Sequence, residues 1–172
     1  MPNLDYPSGF EPKYRLGGGQ LTTNPYDISA SNSAIFRYDL VERAADGTIQ
    51  VAGATSTTIV GVAARFVAAN SGGTVPVYDA PDIVYEAQVQ DATVNAQTDL
   101  DLNYSLVVTT GDTATGRSRH EIDGSTQAAT STLPIKILRV ATEITEEGNV
   151  LGEFVRVQCI INQGILKAGA LG

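Results

Sequence analysis

Three residue types that can catalyse acyl transfer fall within one short segment, Ser118-Arg119-His120-Glu121-Ile122-Asp123. In such enzymes a serine is the nucleophile, a histidine is the general base and an aspartate orients the histidine, and the three normally come from separate elements. In an extended strand Ser118 and His120 would share one face, while Asp123 would point to the other. The sequence also lacks the Gly-x-Ser-x-Gly nucleophile elbow. We therefore expect this segment to be an exposed strand edge without catalytic function.

Motifs for metal or phosphate binding are incomplete. The run Asp99–Asn103 begins like a calcium loop, but Tyr104 stands at the sixth position, where glycine is needed, and Thr110 at the twelfth, where glutamate is needed. Asp79-Ala80-Pro81-Asp82 is better explained as a turn. The run Gly17–Gly19 is not followed by the Lys-Ser/Thr pair of a phosphate loop. The sequence thus predicts no catalytic site, no metal and no cofactor, and a protein that is not an enzyme.

Composition and charge narrow the possible partners. The chain of 172 residues has a formal net charge of −8, and only 11 of its residues are lysine or arginine. Nucleic-acid binding is not expected, because neutralising phosphates needs clustered basic residues. No stretch approaches the roughly 20 apolar residues of a membrane-spanning helix, so no membrane contact is expected. The single cysteine, Cys159, excludes an internal disulfide and lies on the same strand face as Val155, Val157 and Ile161, which predicts that it is buried in the core.

The elements that position these residues are predicted to be β-strands. From Ile83 to Gln90, apolar residues alternate with mostly polar ones, as in a half-buried strand. The run Thr58–Ala68 is apolar on both parities, which indicates a strand that is covered on both sides or curls through a small barrel. Its Gly61 suggests a bulge or a close backbone approach. Asp46-Gly47 predicts a hairpin turn, Asp123-Gly124 predicts a second turn followed by a polar loop at residues 125–132, and Pro76 predicts an edge strand. The fold class is therefore all-β: a small antiparallel β-barrel or β-sandwich.

The first 33 residues are predicted to form an extended N-terminal arm, and residues 34–172 the body, with a possible division into two subdomains near Asp91. Four prolines and three consecutive glycines exclude a helix in the arm. Its aromatic and apolar side chains need a surface on which to dock, either the body of the same chain or a neighbouring subunit. The predicted partner-binding anchors are Tyr6, Phe10, Tyr14 and Leu16.

Several short segments, in this order, resemble the capsid decoration (cement) proteins of tailed bacteriophages. The resemblance covers most of the chain. The similar segments are Pro7–Pro12, Asp39-Leu40-Val41 followed by Asp46-Gly47, Val60-Gly61-Val62, Val75–Asp79 leading to Tyr85 and Gln88, Gly116-x-Ser118, Leu133–Ile137 and Val155–Asn162. The chain departs from that pattern in having no tryptophan and in having a long acidic turn at Thr145–Asn149.

The resemblance implies a structural virion protein on the outer capsid surface. Such a protein binds the matured shell, often as a homotrimer, and holds neighbouring copies of the major capsid protein together. Two other classes have similar strands: a tail or baseplate β-protein, and a carbohydrate-binding β-sandwich. A sugar site usually presents aromatic platforms, and the body has few aromatic residues. A hydrolase is a third alternative, which a screen for activity would test.

Overall fold

The computed structural model describes residues 3–130, 132–141 and 149–166. Within these ranges the chain is all-β, as predicted, and α-helix is absent. Most of the predicted acidic turn at Thr145–Asn149 lies outside the described residues. The strands are β1 (Glu11–Arg15), β2 (Asn24–Ile28), β3 (Leu40–Arg43), β4 (Ile49–Val51), β5 (Ile59–Ala63), β6 (Gly73–Tyr78), β7 (Ile83–Gln88), β8 (Asn103–Val107), β9 (Glu121–Ala128), β10 (Ile135–Val140) and β11 (Arg156–Ile161), with a 3₁₀ turn at Gln97–Asp99.

Five strands close into a barrel in the order β2-β4-β3-β5-β6. All five residues of β5 are buried, which confirms a strand covered on both sides. A Cβ atom at Gly61 would lie 2.1 Å from the carbonyl oxygen of Tyr78, so the predicted close backbone approach is also confirmed. The Asp46-Gly47 hairpin joins β3 to β4, with Gly47 at a φ of 87°.

The predicted edge position of Pro76 is wrong, because β6 lies between β2 and β5. Proline removes a ladder donor, so a strand that contains it is usually an edge strand. Here the Pro76 carbonyl accepts a hydrogen bond from the Ala64 N–H, just beyond the end of β5. On its other side Pro76 is paired with a second proline, Pro25. The backbone N–H that Pro76 lacks therefore falls at the point where the hydrogen-bond ladder between β5 and β6 ends.

The remaining six strands form one sheet in the order β1-β7-β11-β10-β8-β9. A bridge between Val89 and Ile122 brings β9 back beside the end of β7, so the sheet curls strongly. Cys159 is fully buried within it, as predicted. One hydrophobic cluster includes Leu40 and Val62 of the barrel together with Tyr85 and other residues of the sheet. Barrel and sheet are therefore packed against each other through a shared core.

The chain passes from barrel to sheet between β6 and β7, at residues 79–82. Asp91, where a division was expected, instead lies between β7 and β8 of the same sheet. The N-terminal segment is extended, as predicted, and it pairs with this chain's own strands. Its β1 is the edge strand beside β7, and its β2 completes the barrel.

The predicted turn at Asp123-Gly124 is wrong, because β9 runs straight through it. Glycine is used here for close packing: a Cβ atom at Gly124 would lie 2.2 Å from Oγ1 of Thr93. The polar residues that follow were expected to form a loop, but Thr126 accepts a hydrogen bond from the Ser105 N–H at 2.9 Å within the β8–β9 pairing. A polar side chain therefore supplies a hydrogen-bond acceptor where the backbone ladder between β8 and β9 is irregular.

Candidate functional site

An extended segment near the N-terminus, residues 3–8, lies across the sheet; we call it the strap. It forms no strand and is held largely through side chains. The Asn3 amide donates to the carbonyls of Val150 and Glu153 at 2.9 and 2.8 Å. The Tyr6 N–H donates to Oε1 of Gln88 at 2.9 Å, and Arg156 donates to the Tyr6 carbonyl at 2.7 Å. The strap is thereby anchored at its start and at its centre.

The strap exposes apolar side chains. Leu4 is 83% exposed and Tyr6 is 65% exposed. Val150, which is 54% exposed, adjoins them because its backbone is hydrogen-bonded to Asn3. Residues of this size normally gain from burial. This face is therefore the strongest candidate for a binding surface among the described residues.

The four predicted anchors separate into two pairs. Tyr6 and Leu16 are exposed, Leu16 by 58%. Phe10 is fully buried in the chain's own core, so its prediction as an anchor for another molecule is wrong. The Tyr14 hydroxyl donates to Gln158 at 3.0 Å and accepts a hydrogen bond from Arg139. Phe10 and Tyr14 thus fix β1, which follows the strap, to the body of the same chain.

Beneath the strap, the polar face of β7 is buried instead of facing solvent. Glu86 is flanked by Nζ of Lys13 at 3.5 Å and by Nη1 of Arg156 at 3.7 Å. The Gln88 amide nitrogen donates to Oδ1 of Asp5 at 3.0 Å and to Oε1 of Glu121 at 3.3 Å. Polar side chains therefore hold the strap onto the sheet.

The Glu121 carboxyl group of this layer is perturbed by its surroundings. Burial, with a further contribution from the charge of Asp5, raises the pKa of Glu121 to about 7. The sequence did not single out Glu121 or Gln88 as functional residues. The only available signal was the run of polar residues on alternate positions of a predicted strand, which is equally typical of a solvent-facing surface.

The segment containing Ser118 and His120 is buried, so its prediction as an exposed strand edge is wrong. It precedes β9, and the carboxylate that it meets is Asp39 instead of Asp123. Nε2 of His120 lies 3.4 Å from Oδ1 of Asp39, whose other oxygen accepts the Phe36 N–H at 2.7 Å. Asp39 was not predicted as a site residue; the one signal was a carboxylate inside a largely apolar run.

Burial dominates the electrostatics of this pair. It lowers the pKa of His120, while the Asp39 carboxylate acts in the opposite direction. Burial also raises the pKa of Asp39, against the effects of His120 and of a hydrogen bond from Ser118. His120 is therefore held in its neutral form at neutral pH.

The arrangement differs from that of an acyl-transfer triad. The Ser118 side chain contacts the Asp39 carboxylate and accepts the His120 backbone N–H at 3.0 Å, instead of facing an imidazole nitrogen. A hydroxyl in this position is not activated by a general base. The adjoining backbone joins the parts of the fold: the Phe10 N–H donates to the Tyr38 carbonyl, and the Ser118 N–H donates to the Arg37 carbonyl. The cluster fixes the junction between the arm, the barrel and the sheet.

Two clefts adjoin these groups. One, of about 260 Å³, borders Asp39 and His120 and has walls that include Phe36 and Val108. The other, of about 330 Å³, lies between the strap and Arg117 and Arg119.

Other acidic residues that the sequence singled out serve the fold. The Asp79 carboxylate accepts hydrogen bonds from Asn24 and Tyr26, and so ties β2 to the end of β6. Asp99 accepts the N–H groups of Asn95 and Ala96 before the 3₁₀ turn. Within the described ranges, the structure contains neither a group of three or more potential metal ligands of the His, Cys, Asp and Glu types nor a helix long and apolar enough to cross a membrane.

Comparisons with protein-family models, with curated proteins and with solved structures found no match to this chain.

Proposed function

We propose that this chain is a structural virion protein that decorates the outer surface of a mature tailed-phage capsid. In this role it bridges neighbouring copies of the major capsid protein and has no enzymatic activity. The observation that carries the proposal is the strap, an extended segment fixed across the sheet with Leu4 and Tyr6 directed to solvent. The sequence resemblance to decoration proteins supports the same role.

The strap suits binding because it is ordered before it meets a partner. Burying a large apolar side chain contributes about 1.5–3 kcal/mol. Much of such a gain is normally offset by the cost of ordering a flexible segment. Here Asn3 and Arg156 donate hydrogen bonds, and Gln88 accepts one from the Tyr6 N–H, so the strap is already held in place. Leu4 and Tyr6 can therefore be buried with a reduced entropic cost.

The position of Leu16 supports a bridging role. Its N–H donates to the Asp82 carbonyl, just before β7, whereas Tyr6 is bonded to Gln88 at the end of β7. Exposed apolar side chains therefore flank both ends of this strand, about 20 Å apart at the usual rise of a β-strand. Two contacts at that separation can engage two neighbouring subunits. The net charge of −8 favours a basic partner surface.

The first test is the copy number of this chain relative to the major shell protein in purified particles, by quantitative mass spectrometry. A ratio near one supports decoration of the whole shell. A few copies per particle would favour the tail or baseplate, and absence from particles would contradict a virion role and favour a carbohydrate-binding or enzymatic function.

The second test is binding of purified variants to undecorated capsids. We expect the double variant Leu4→Ser, Tyr6→Ser to lose most of its binding, because it removes the exposed apolar side chains of the strap. Val108→Ser is the matched control, since Val108 is also exposed, by 43%, but lies beside the other cleft. Equal binding of the two proteins would contradict the role of the strap. Light scattering of the free chain tests whether it forms the homotrimer that the resemblance to decoration proteins implies.

A further inference from the structure

Two carboxylates share one hydrogen-bond donor where the strap meets the sheet. The Gln88 amide nitrogen donates to Asp5 of the strap at 3.0 Å and to Glu121 of β9 at 3.3 Å. Gln88 is almost completely buried, whereas Asp5 is exposed. Two negative charges that converge on one amide repel each other. The seating of the strap therefore depends on whether Glu121 carries a proton.

The cations near this point pair with Glu86 or border the cleft beside Asp5. Within the described part of the chain, Glu121 forms no ion pair shorter than 4.0 Å. Its partner in β8 is the uncharged Val107. The other charged groups around the strap are Glu86 of β7, paired with Lys13 of β1 and Arg156 of β11, and Asp112, Arg117 and Arg119, which border the cleft beside Asp5.

We propose that the strap is a pH-sensitive latch, seated over β7 and β9 when Glu121 carries a proton and released as Glu121 loses it. A protonated Glu121 still accepts from Gln88 but no longer repels Asp5. An ionised Glu121 places a second negative charge in a layer that the strap shields from water. Release of the strap removes Asp5 and lets water reach the carboxylate.

The direction of the pH dependence follows from the shift at Glu121. Its pKa, ordinarily 4.5, is raised to about 7 while the strap is seated. A raised pKa stabilises the seated state at acidic pH, and this stabilisation is lost as the pH rises through about 7. If release returns the pKa to its ordinary value, the opening equilibrium shifts about ten-fold toward the released strap between pH 6 and pH 8.

Hydrogen exchange of the Tyr6 amide tests the latch, because this N–H donates to the Gln88 side chain only when the strap is seated. Rates at pH 6 and pH 8 are divided by the intrinsic rate at each pH. We expect the protection of the wild-type amide to fall about ten-fold between the two. Glu121→Gln should retain its protection at pH 8, because the amide is isosteric with the protonated acid.

Asp5→Asn provides a second test that does not alter a buried residue. It removes the like charge, so Tyr6 should be better protected at pH 8 than in the wild type. Glu42→Gln, a substitution of the same type in β3 of the barrel, is the control and should keep the wild-type response. The latch is overturned if wild-type protection is the same at both pH values, or if Glu121→Gln and Asp5→Asn both follow the wild-type pH response.

The latch deepens the proposed function, because it would make presentation of Leu4 and Tyr6 to the capsid depend on pH. Only this effect on capsid binding rests on the proposed function. Exchange is measured on the isolated chain, so a pH-independent strap would contradict the latch without bearing on capsid binding. Conversely, capsid binding that survives loss of Leu4 and Tyr6 would contradict the strap's role as an anchor and leave the latch standing.

Discussion

His120 is a buried neutral base that faces a carboxylate from a distant part of the chain. We expect His120→Gln to lower the free energy of unfolding by about 1–3 kcal/mol at pH 7, because it removes the imidazole from a buried polar cluster. The burial-lowered pKa of His120 means that its contribution is present above about pH 6.5, the ordinary value, and is lost as the pH falls below it. The loss of the imidazole also favours protonation of Asp39 in the variant. Both effects shrink the difference between wild type and variant in acid.

Urea unfolding of the two proteins at pH 7 and pH 5 measures that difference. A difference that grows between pH 7 and pH 5 would show that His120 is charged in the folded protein. The same variant tests the stability of the junction between arm, barrel and sheet, because the backbone hydrogen bonds of Ser118 and Phe10 lie beside His120.

At the scale of elements, β5 approaches the backbone of β6 closely at Gly61. We expect Gly61→Ala to cost about 3 kcal/mol, because the new methyl group would have to displace the Tyr78 backbone. Gly53→Ala is the control, because a Cβ atom there meets nothing within 4 Å and its φ is not positive. Thermal unfolding followed by circular dichroism compares the two variants. Equal stability would mean that the β5–β6 spacing is wider than the structure shows.

Strands with strong local signals were predictable from the sequence. The apolar run of β5, the Asp46-Gly47 hairpin and the burial of Cys159 were all predicted and are all found. Errors arose where tertiary contacts override local preference. Pro76 is accommodated by the end of β5, and Gly124 is a packing residue instead of a turn residue. Local sequence shows neither the neighbouring strand nor the atom that a Cβ would meet.

The candidate site was harder to predict than the fold, for the same physical reason. The sequence correctly indicated that aromatic residues in the N-terminal segment must dock. It did not show that Phe10 would fill the chain's own core while Tyr6 stayed exposed. The approach of Asp39 to His120, and of Asp5 to Glu121, depends on the pairing of distant strands. Such convergence is a property of topology, and no local pattern encodes it.

At the scale of the whole molecule, barrel and sheet share one hydrophobic cluster that includes Phe10, Leu40, Val62 and Tyr85. We therefore expect a single cooperative unfolding transition, because neither part can lose its structure without exposing the core of the other. Calorimetry should give equal calorimetric and van't Hoff enthalpies. Two resolved transitions would contradict this coupling and would indicate two parts that fold independently.

The order in which the strands can pair during synthesis depends on the position of β1 in the chain. The barrel is built from consecutive strands, β2 to β6, and can close soon after Tyr78 has been made. In contrast, β1 precedes the barrel in the chain and has no partner until β7 is synthesised. Synthesis proceeds at about 5–20 residues per second, so β1 stays unpaired in the nascent chain for several seconds. During that interval β1 and the strap are the part of the nascent chain most open to capture by a neighbouring copy.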